Sequence, residues 1–210
     1  MRRIILASGS PRRKELLTLM GLAFEVIPSD FYEELDGSRT PEEVSKELGL
    51  GKAMVLARKF PDAIVIGSDS IVTIGGRQLA KAESIEEART MLYDVTLHPN
   101  QVASSLAVVC LEENFESVQA ENSWVYFRPF DEQAVETYLA TGDYKDKAGA
   151  YGIQSGAAPL IDHITGNLDT IIGLPTHLLA PLLQRFGYDV RPVAYELPTE
   201  IEVVAVAKNL

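Results

Sequence analysis

Cysteine is nearly absent. Cys110 is the one cysteine in 210 residues, so no disulfide forms within the chain and a covalently stapled small scaffold is excluded. It lies in the apolar run Leu106–Leu111 and reads as a small buried hydrophobe. No segment approaches the roughly 18 consecutive apolar residues of a membrane span. After Arg2 and Arg3 only Ile4 to Ala7 precede the return of charge, which is too short for a signal-peptide core. The expectation is a cytoplasmic protein without a membrane partner. Positive charge is also scarce: 19 Lys and Arg stand against 30 Asp and Glu, a net charge of -11. This argues against general binding to DNA or RNA, because the phosphates would be repelled. An anionic ligand must therefore enter a locally basic pocket or bring its own cation. The three histidines, His98, His163 and His177, have no second His, Cys or acid at metal-ligand spacing and read as structural. There is no P-loop, no dinucleotide fingerprint and no G-x-S-x-G nucleophile elbow.

What is there begins at the N-terminus. The apolar run Ile4-Ile5-Leu6-Ala7 reads as a buried strand that breaks at Ser8-Gly9-Ser10. Pro11 occupies a first helical position, with Ser10 as N-cap. A small-residue loop between a strand and a helix N-terminus exposes backbone N–H groups and the positive end of the helix dipole, which suits an anion. Arg12 and Arg13 add two permanent charges able to grip phosphate oxygens bidentately.

Strand and helix signals alternate along the rest of the chain. Strands are expected at 2–7, Ala23–Pro28, Ala63–Gly67 with Ile71–Ile74 continuing it, and Tyr188–Tyr195. Val102–Leu111 and Ser117–Phe127 read as a long pair. Helices are expected at 11–20, ended by Gly21, and at 41–59 behind the capping box Thr40-Pro41-Glu42-Glu43. A second capping box, Ser84-Ile85-Glu86-Glu87, opens a helix to about 93, Asp131 caps one that stops at Gly142, and Pro175–Phe186 is closed by Gly187. Gly75-Gly76 is a turn, and 29–39 is an acidic loop. This pattern predicts one α/β domain over 1–195, with a mixed sheet and helices on both faces. A tail follows over 196–210, whose alternating Glu202–Val206 segment adds an edge strand or lies loose.

Asp69 follows the buried strand Ile64-Val65-Ile66-Gly67, where α/β proteins commonly place reactive side chains. A carboxylate there can hold Mg²⁺ or Mn²⁺ or deprotonate a water, or it is a turn aspartate. Lys81, between small apolar residues, is a phosphate ligand or a surface lysine, and Lys52 within its helical pattern is open to the same two readings. The Gly- and Ala-rich segment 143–158 contains Lys147 and Gln154. Its backbone can approach a ligand closely, and the Gln154 amide can read a base edge; otherwise it is a tight turn followed by an ordinary strand.

Several segments occur in order: S-x-S-P-R-R at the N-terminus, G-S-D-S at 67–70, the lysine before S-I-E-E-A, D-K-A-G-A-Y-G-I-Q at 146–154, and I-I-G-L-P at 171–175. Together they resemble the Maf family of nucleoside triphosphate pyrophosphatases, across about residues 4–190. The resemblance implies a mixed, twisted sheet with flanking helices, akin to the inosine triphosphate pyrophosphatases, with two lobes around a cleft. It implies hydrolysis of a nucleoside triphosphate between the α and β phosphates, with a divalent metal (Mg²⁺ or Mn²⁺), and a homodimer is common in the family. Asp69 falls on the proton-acceptor position. Arg12, Ser70 and Gln154 fall on the positions that separate subgroups, and resemble the subgroup acting on dTTP, UTP and modified pyrimidine triphosphates. Arg12 and Gln154 can donate to uracil or thymine carbonyls, whereas a methylated, positively charged purine would favour an aromatic or acidic partner. Ser8, Ser10, Arg13, Lys52, Lys81 and Lys147 would bind phosphate, and Asp69 with Glu33 would hold the metal. The chain departs from the family pattern at Ala82, Leu97, Asn100, Asp143 and Thr170. Two other readings follow from these departures: a weakly or non-catalytic regulator of septum formation, and a pyrophosphatase with another base preference.

Overall fold

Ile4, Ile5 and Leu6 form strand β1 (Ile4–Leu6), buried on both faces, as befits the interior of a parallel sheet. Helix α1 (Pro11–Leu19) follows, and Gly21 with φ 73° releases the chain from it. Strand β2 (Glu25–Val26) is shorter than Ala23–Pro28 and sits on the exposed edge. Helix α2 (Pro41–Lys59) starts at the predicted capping box: Thr40 Oγ1 accepts from Glu43 N, and the Glu43 carboxylate accepts from Thr40 N at 2.9 Å. Such a box is worth about 1 kcal/mol. Strand β3 (Ile64–Gly67) stops before Ser68, and Ile71–Ile74 does not continue it but belongs to a separate strand, β4 (Ser70–Ile74). Gly75 and Gly76, at φ 53° and 82°, turn β4 into β5 (Arg77–Gln78), a hairpin geometry that only glycine takes without strain.

Helix α3 (Ile85–Val95) has half of its expected box. Ser84 caps Glu87 N, but the Glu87 carboxylate accepts from Glu83 N instead of Ser84 N. Asn100, where the family pattern has histidine, is fully buried at the start of β6 (Asn100–Cys110). Its Nδ2 donates to the carbonyls of Val95 at 3.1 Å and His98 at 3.3 Å, so it closes the C-terminal end of α3. Strand β7 (Phe115–Phe127) neighbours β6. Helix α4 (Glu132–Ala140) is capped by Asp131 Oδ1, which accepts from Gln133 N and Ala134 N. Strand β8 (Ile161–Thr165), helix α5 (Leu168–Ile172) and helix α6 (Thr176–Arg185) complete the run. The expected strand Tyr188–Tyr195 does not form: those residues take no ladder bonds. Tyr188 Oη instead donates to Arg2 O, and Val193 N donates to Thr176 Oγ1. Strand β9 (Glu202–Val204) adds to β8 in parallel, pairing Ile164 with Val203.

The computed structural model describes residues 1–31, 39–145, 147–195 and 201–204, and the chain divides into two compact units. The first comprises Met1–Ser70, Ala103–Glu121 and Ile172–Tyr195. Its sheet runs β2-β1-β3-β6-β7, with β1 parallel to β2 and β3, and β3 antiparallel to β6. Helix α2 packs on it through Ala53, Leu56 and Ala57 against Ile5, Val65, Ala107 and Val109. The second comprises Ile71–Val102, Asn122–Ile171 and, of the tail, residues 201–204. There β7 is antiparallel to β8, and α3 meets α4 through the Arg89–Glu136 ion pair. The architecture is mixed α/β, a mixed sheet flanked by helices. No helix among the described residues is long and apolar enough to cross a membrane.

Candidate active site

In the first unit, the C-terminal ends of β1 and β3 lie side by side, with Leu6 opposite Ile66 and Ala7 N donating to Ile66 O. The Ser8 loop and the Ser68–Ser70 segment therefore leave the sheet together, at the end where α/β sheets present reactive groups. Ser10 holds the N-cap position of α1 with extended backbone, but its side chain makes no cap hydrogen bond. Ser8 Oγ accepts from Ser10 N at 3.3 Å instead.

The two arginines part because neighbours on a helix point about 100° apart. Arg12 is half-exposed, and no hydrogen bond or ion pair to another described residue engages it. Arg13 is buried, at 9% exposure. Its Nε donates to Gly173 O at 2.9 Å, Nη1 to Ser8 Oγ at 3.0 Å and Nη2 to Ser70 Oγ at 3.1 Å. Ser70 Oγ also shares a 2.8 Å hydrogen bond with Ser104 Oγ, and Ser68 Oγ donates to Gly173 O at 2.8 Å. Gly173 has φ 123°, which calls for glycine, and a Cβ there would also crowd Ser70 Oγ at 3.1 Å.

Asp69 Oδ1 accepts from Lys52 Nζ at 2.6 Å, and both side chains are 14% exposed. Lys52 reaches it because α2 lies unusually close to the sheet. A Cβ on Gly67 would stand 2.2 Å from Gly49 O, and one on Gly49 would stand 2.4 Å from Ser105 Oγ. Ser105 clamps the Asp69 backbone. Its Oγ accepts from Asp69 N at 3.0 Å, its N donates to Asp69 O at 2.9 Å, and its Oγ donates to Ser45 O at 2.6 Å. Ser104, Ser105 and Gly49 lie outside every motif of the sequence, while Gly67 and Gly173 belong to the G-S-D-S and I-I-G-L-P motifs without a role that the sequence assigns. The available signal was a pair of serines inside an otherwise apolar strand, since a buried hydroxyl requires a partner.

The second unit carries the remaining expected residues. Lys81 is exposed and forms an isolated antiparallel bridge with Ala148, while Gly149 N donates to Ala80 O at 3.0 Å. Lys147 Nζ donates to Asp143 Oδ1 at 2.8 Å and to the Asp143 carbonyl. Gln154 is half-buried in the turn that follows. Partial burial would raise the Asp143 carboxyl, but donors from Lys147, Ser155 and Tyr138 outweigh it and hold the group below the usual carboxylate range. Glu33 lies outside the described residues. The structure thus joins Ser8, Arg13 and Ser70 in one hydrogen-bonded group and pairs Lys52 with Asp69 in another, both in the first unit, and sets Lys81 next to the Lys147 loop in the second.

A sequence model of the family described as Maf-like protein matches residues 3–186. A dTTP/UTP pyrophosphatase of Symbiobacterium thermophilum is 39% identical over 190 residues, covering 90% of this chain and 97% of that protein. One of the same name from Pelotomaculum thermopropionicum is 38% identical over 190 residues, covering 90% of this chain and 100% of that protein. A crystal structure of a nucleoside-triphosphatase, dITP/XTP pyrophosphatase, from Mycobacterium abscessus is similar at a TM-score of 0.42 and 15% identity, over 76% of this chain and 82% of that one.

Proposed function

The chain belongs to the Maf family, and from that premise we propose that it hydrolyses nucleoside triphosphates to a monophosphate and pyrophosphate. The substrates are dTTP, UTP and modified pyrimidine triphosphates. The observation that carries the reading is the 2.6 Å Asp69–Lys52 pair, held at a strand end beside the Arg13-braced Ser8 loop.

A triphosphate must have its oxygens neutralised before water can attack phosphorus. The Ser8–Ser10 turn and the first turn of α1 offer backbone N–H groups and the positive end of the helix dipole. Arg12, which no described partner engages, is available to the nucleotide. Asp69 accepts the proton of a water whose oxygen attacks the α-phosphorus. The bond from that phosphorus to the bridging oxygen breaks, and its electron pair leaves with pyrophosphate. Lys52 and the Ser105 clamp hold the carboxylate in place for this transfer. The family resemblance assigns further phosphate contacts to Lys81 and Lys147 and base discrimination to Ser70 and Gln154.

The residues fit a divalent cation. Asp69 Oδ1 is taken by Lys52, while Oδ2 accepts no hydrogen bond from the described residues, which leaves a hard oxygen ligand for Mg²⁺ or Mn²⁺. When bound, the ion would neutralise phosphate oxygens and acidify water, with Asp69 as ligand and Glu33 as the second expected one.

The test is pyrophosphate release from dTTP, UTP, CTP, pseudouridine and 5-methyluridine triphosphates, ITP and 7-methyl-GTP, with Mg²⁺ or Mn²⁺ and Asp69→Asn as control. Turnover of uracil and thymine nucleotides that falls by roughly 10²-fold or more in the control supports the reading. Silence across the panel would sink it and leave a non-catalytic regulator as the better account.

A further inference from the structure

We propose that Asp143 is a positioning residue that holds Lys147 and the Gln154 turn as one body, so that phosphate contact and base reading act together. The proposal rests on the function given above, and it concerns only the second unit. Asp143 stands just beyond α4, where its N donates to Thr141 Oγ1 at 3.1 Å and so sets the direction of its side chain. Both carboxylate oxygens are used. Oδ1 accepts from Lys147 Nζ at 2.8 Å, and Oδ2 accepts from Ser155 Oγ and from Tyr138 Oη at 3.2 Å. Tyr138 is 2% exposed on α4, so this bond ties the anchor to the core. Lys147 and Ser155 lie on opposite sides of the segment that carries Gly149, Ala150 and Gly152. One carboxylate thereby closes that segment at both ends, immediately beside Gln154.

Gly152 gives a second, independent handle. A Cβ there would lie 2.4 Å from Lys147 Cε and 2.8 Å from Ser155 Oγ. Glycine at 152 is what lets both donors reach Asp143 at once. Gly152→Ala leaves the backbone permitted and pushes the lysine stem and the hydroxyl away from the carboxylate.

The test compares Asp143→Ala, Asp143→Glu and Gly152→Ala with the wild-type chain. Two readouts are used: steady-state kinetics on UTP and CTP, and hydrogen exchange over residues 147–155 without substrate. The expected result is a KM for UTP raised about tenfold in Asp143→Ala and Gly152→Ala, with kcat within about threefold and the preference for UTP over CTP narrowed. Exchange over 147–155 should accelerate in both, and Asp143→Glu should restore much of each property because it keeps the carboxylate. Unchanged exchange in Asp143→Ala would overturn the anchor. Accelerated exchange with unchanged KM and selectivity would overturn its coupling to the substrate. A wild-type chain that turns over no triphosphate would instead count against the function itself, while the exchange comparison would still judge the anchor.

Discussion

Arg13 Nε donates to the carbonyl of Gly173 at 2.9 Å, across 160 positions of sequence. The same buried guanidinium holds Ser8 and Ser70, so one side chain joins the loop after β1, the start of β4 and the turn before α6. Three of its donors are directed at protein oxygens, so it braces the loop expected to receive phosphate. Arg13→Lys keeps the charge but replaces a planar fork by a point that cannot reach three acceptors. The expected loss of stability is about 2–3 kcal/mol, read from urea unfolding, with a parallel loss of turnover. A variant of wild-type stability whose KM alone rises would support the direct phosphate contact that the family resemblance implies for Arg13.

Lys52→Met should lower kcat by about tenfold or more, because Asp69 loses the ion pair that orients it. Kinetics at saturating substrate check this. If KM rises while kcat holds, Lys52 serves the phosphates and not the carboxylate.

Gly67→Ala should be costly for its size. The added methyl meets Gly49 O at 2.2 Å and the Ala53 methyl at 2.9 Å, so α2 must lift from the sheet. Overpacking of this kind costs about 1–3 kcal/mol, and the shift carries Lys52 away from Asp69. Thermal unfolding and pyrophosphate release should fall together, and a variant with native values of both would mean that the helix has slack.

Gln154→Glu should change base preference more than it changes kcat. The amide offers a donor and an acceptor to a pyrimidine edge, whereas a carboxylate offers acceptors alone. The ratio of kcat/KM for UTP to that for 7-methyl-GTP measures this. An unmoved ratio would remove Gln154 from base reading.

The Asp143 anchor has a defined pH range. Its carboxyl is held below the usual carboxylate range although partial burial opposes this, because Lys147, Ser155 and Tyr138 donate to the charged form. A depressed acid contributes stability that is present above its unfolded pKa, about 3.9, and is lost as pH falls through the lower folded value. Exchange over 147–155, corrected for intrinsic rates, should be level from pH 7 to about 4 and rise only below that. Acceleration already near pH 6 would point to another group.

Much of the local structure was legible in the sequence because it depends on local contacts. The Thr40 box, the Asp131 cap and the Gly75-Gly76 turn each involve residues a few positions apart, and all form as read. The apolar run before Asp69 gave that carboxylate its place at a strand end, and the ordered motifs gave the family. Tyr188–Tyr195 read as a strand from its composition, yet strand formation needs a free neighbouring edge as well as suitable residues. Helix α5 is five residues long, too short for periodicity to register.

Only the tertiary structure decided which charges meet. Lys52 and Asp69 are 17 positions apart and join because two glycines remove the side chains that would keep α2 away. Arg12 and Arg13 are chemically identical and adjacent, and nothing local tells which one is buried. That was settled by acceptors at Gly173 and Ser70, brought close by sheet pairing and chain return. Sequence determined the capped helices, the glycine turn and the apolar strands of the interior, since these depend on neighbours along the chain. The fold determined which polar groups were satisfied internally, since burial and hydrogen bonding depend on neighbours in space.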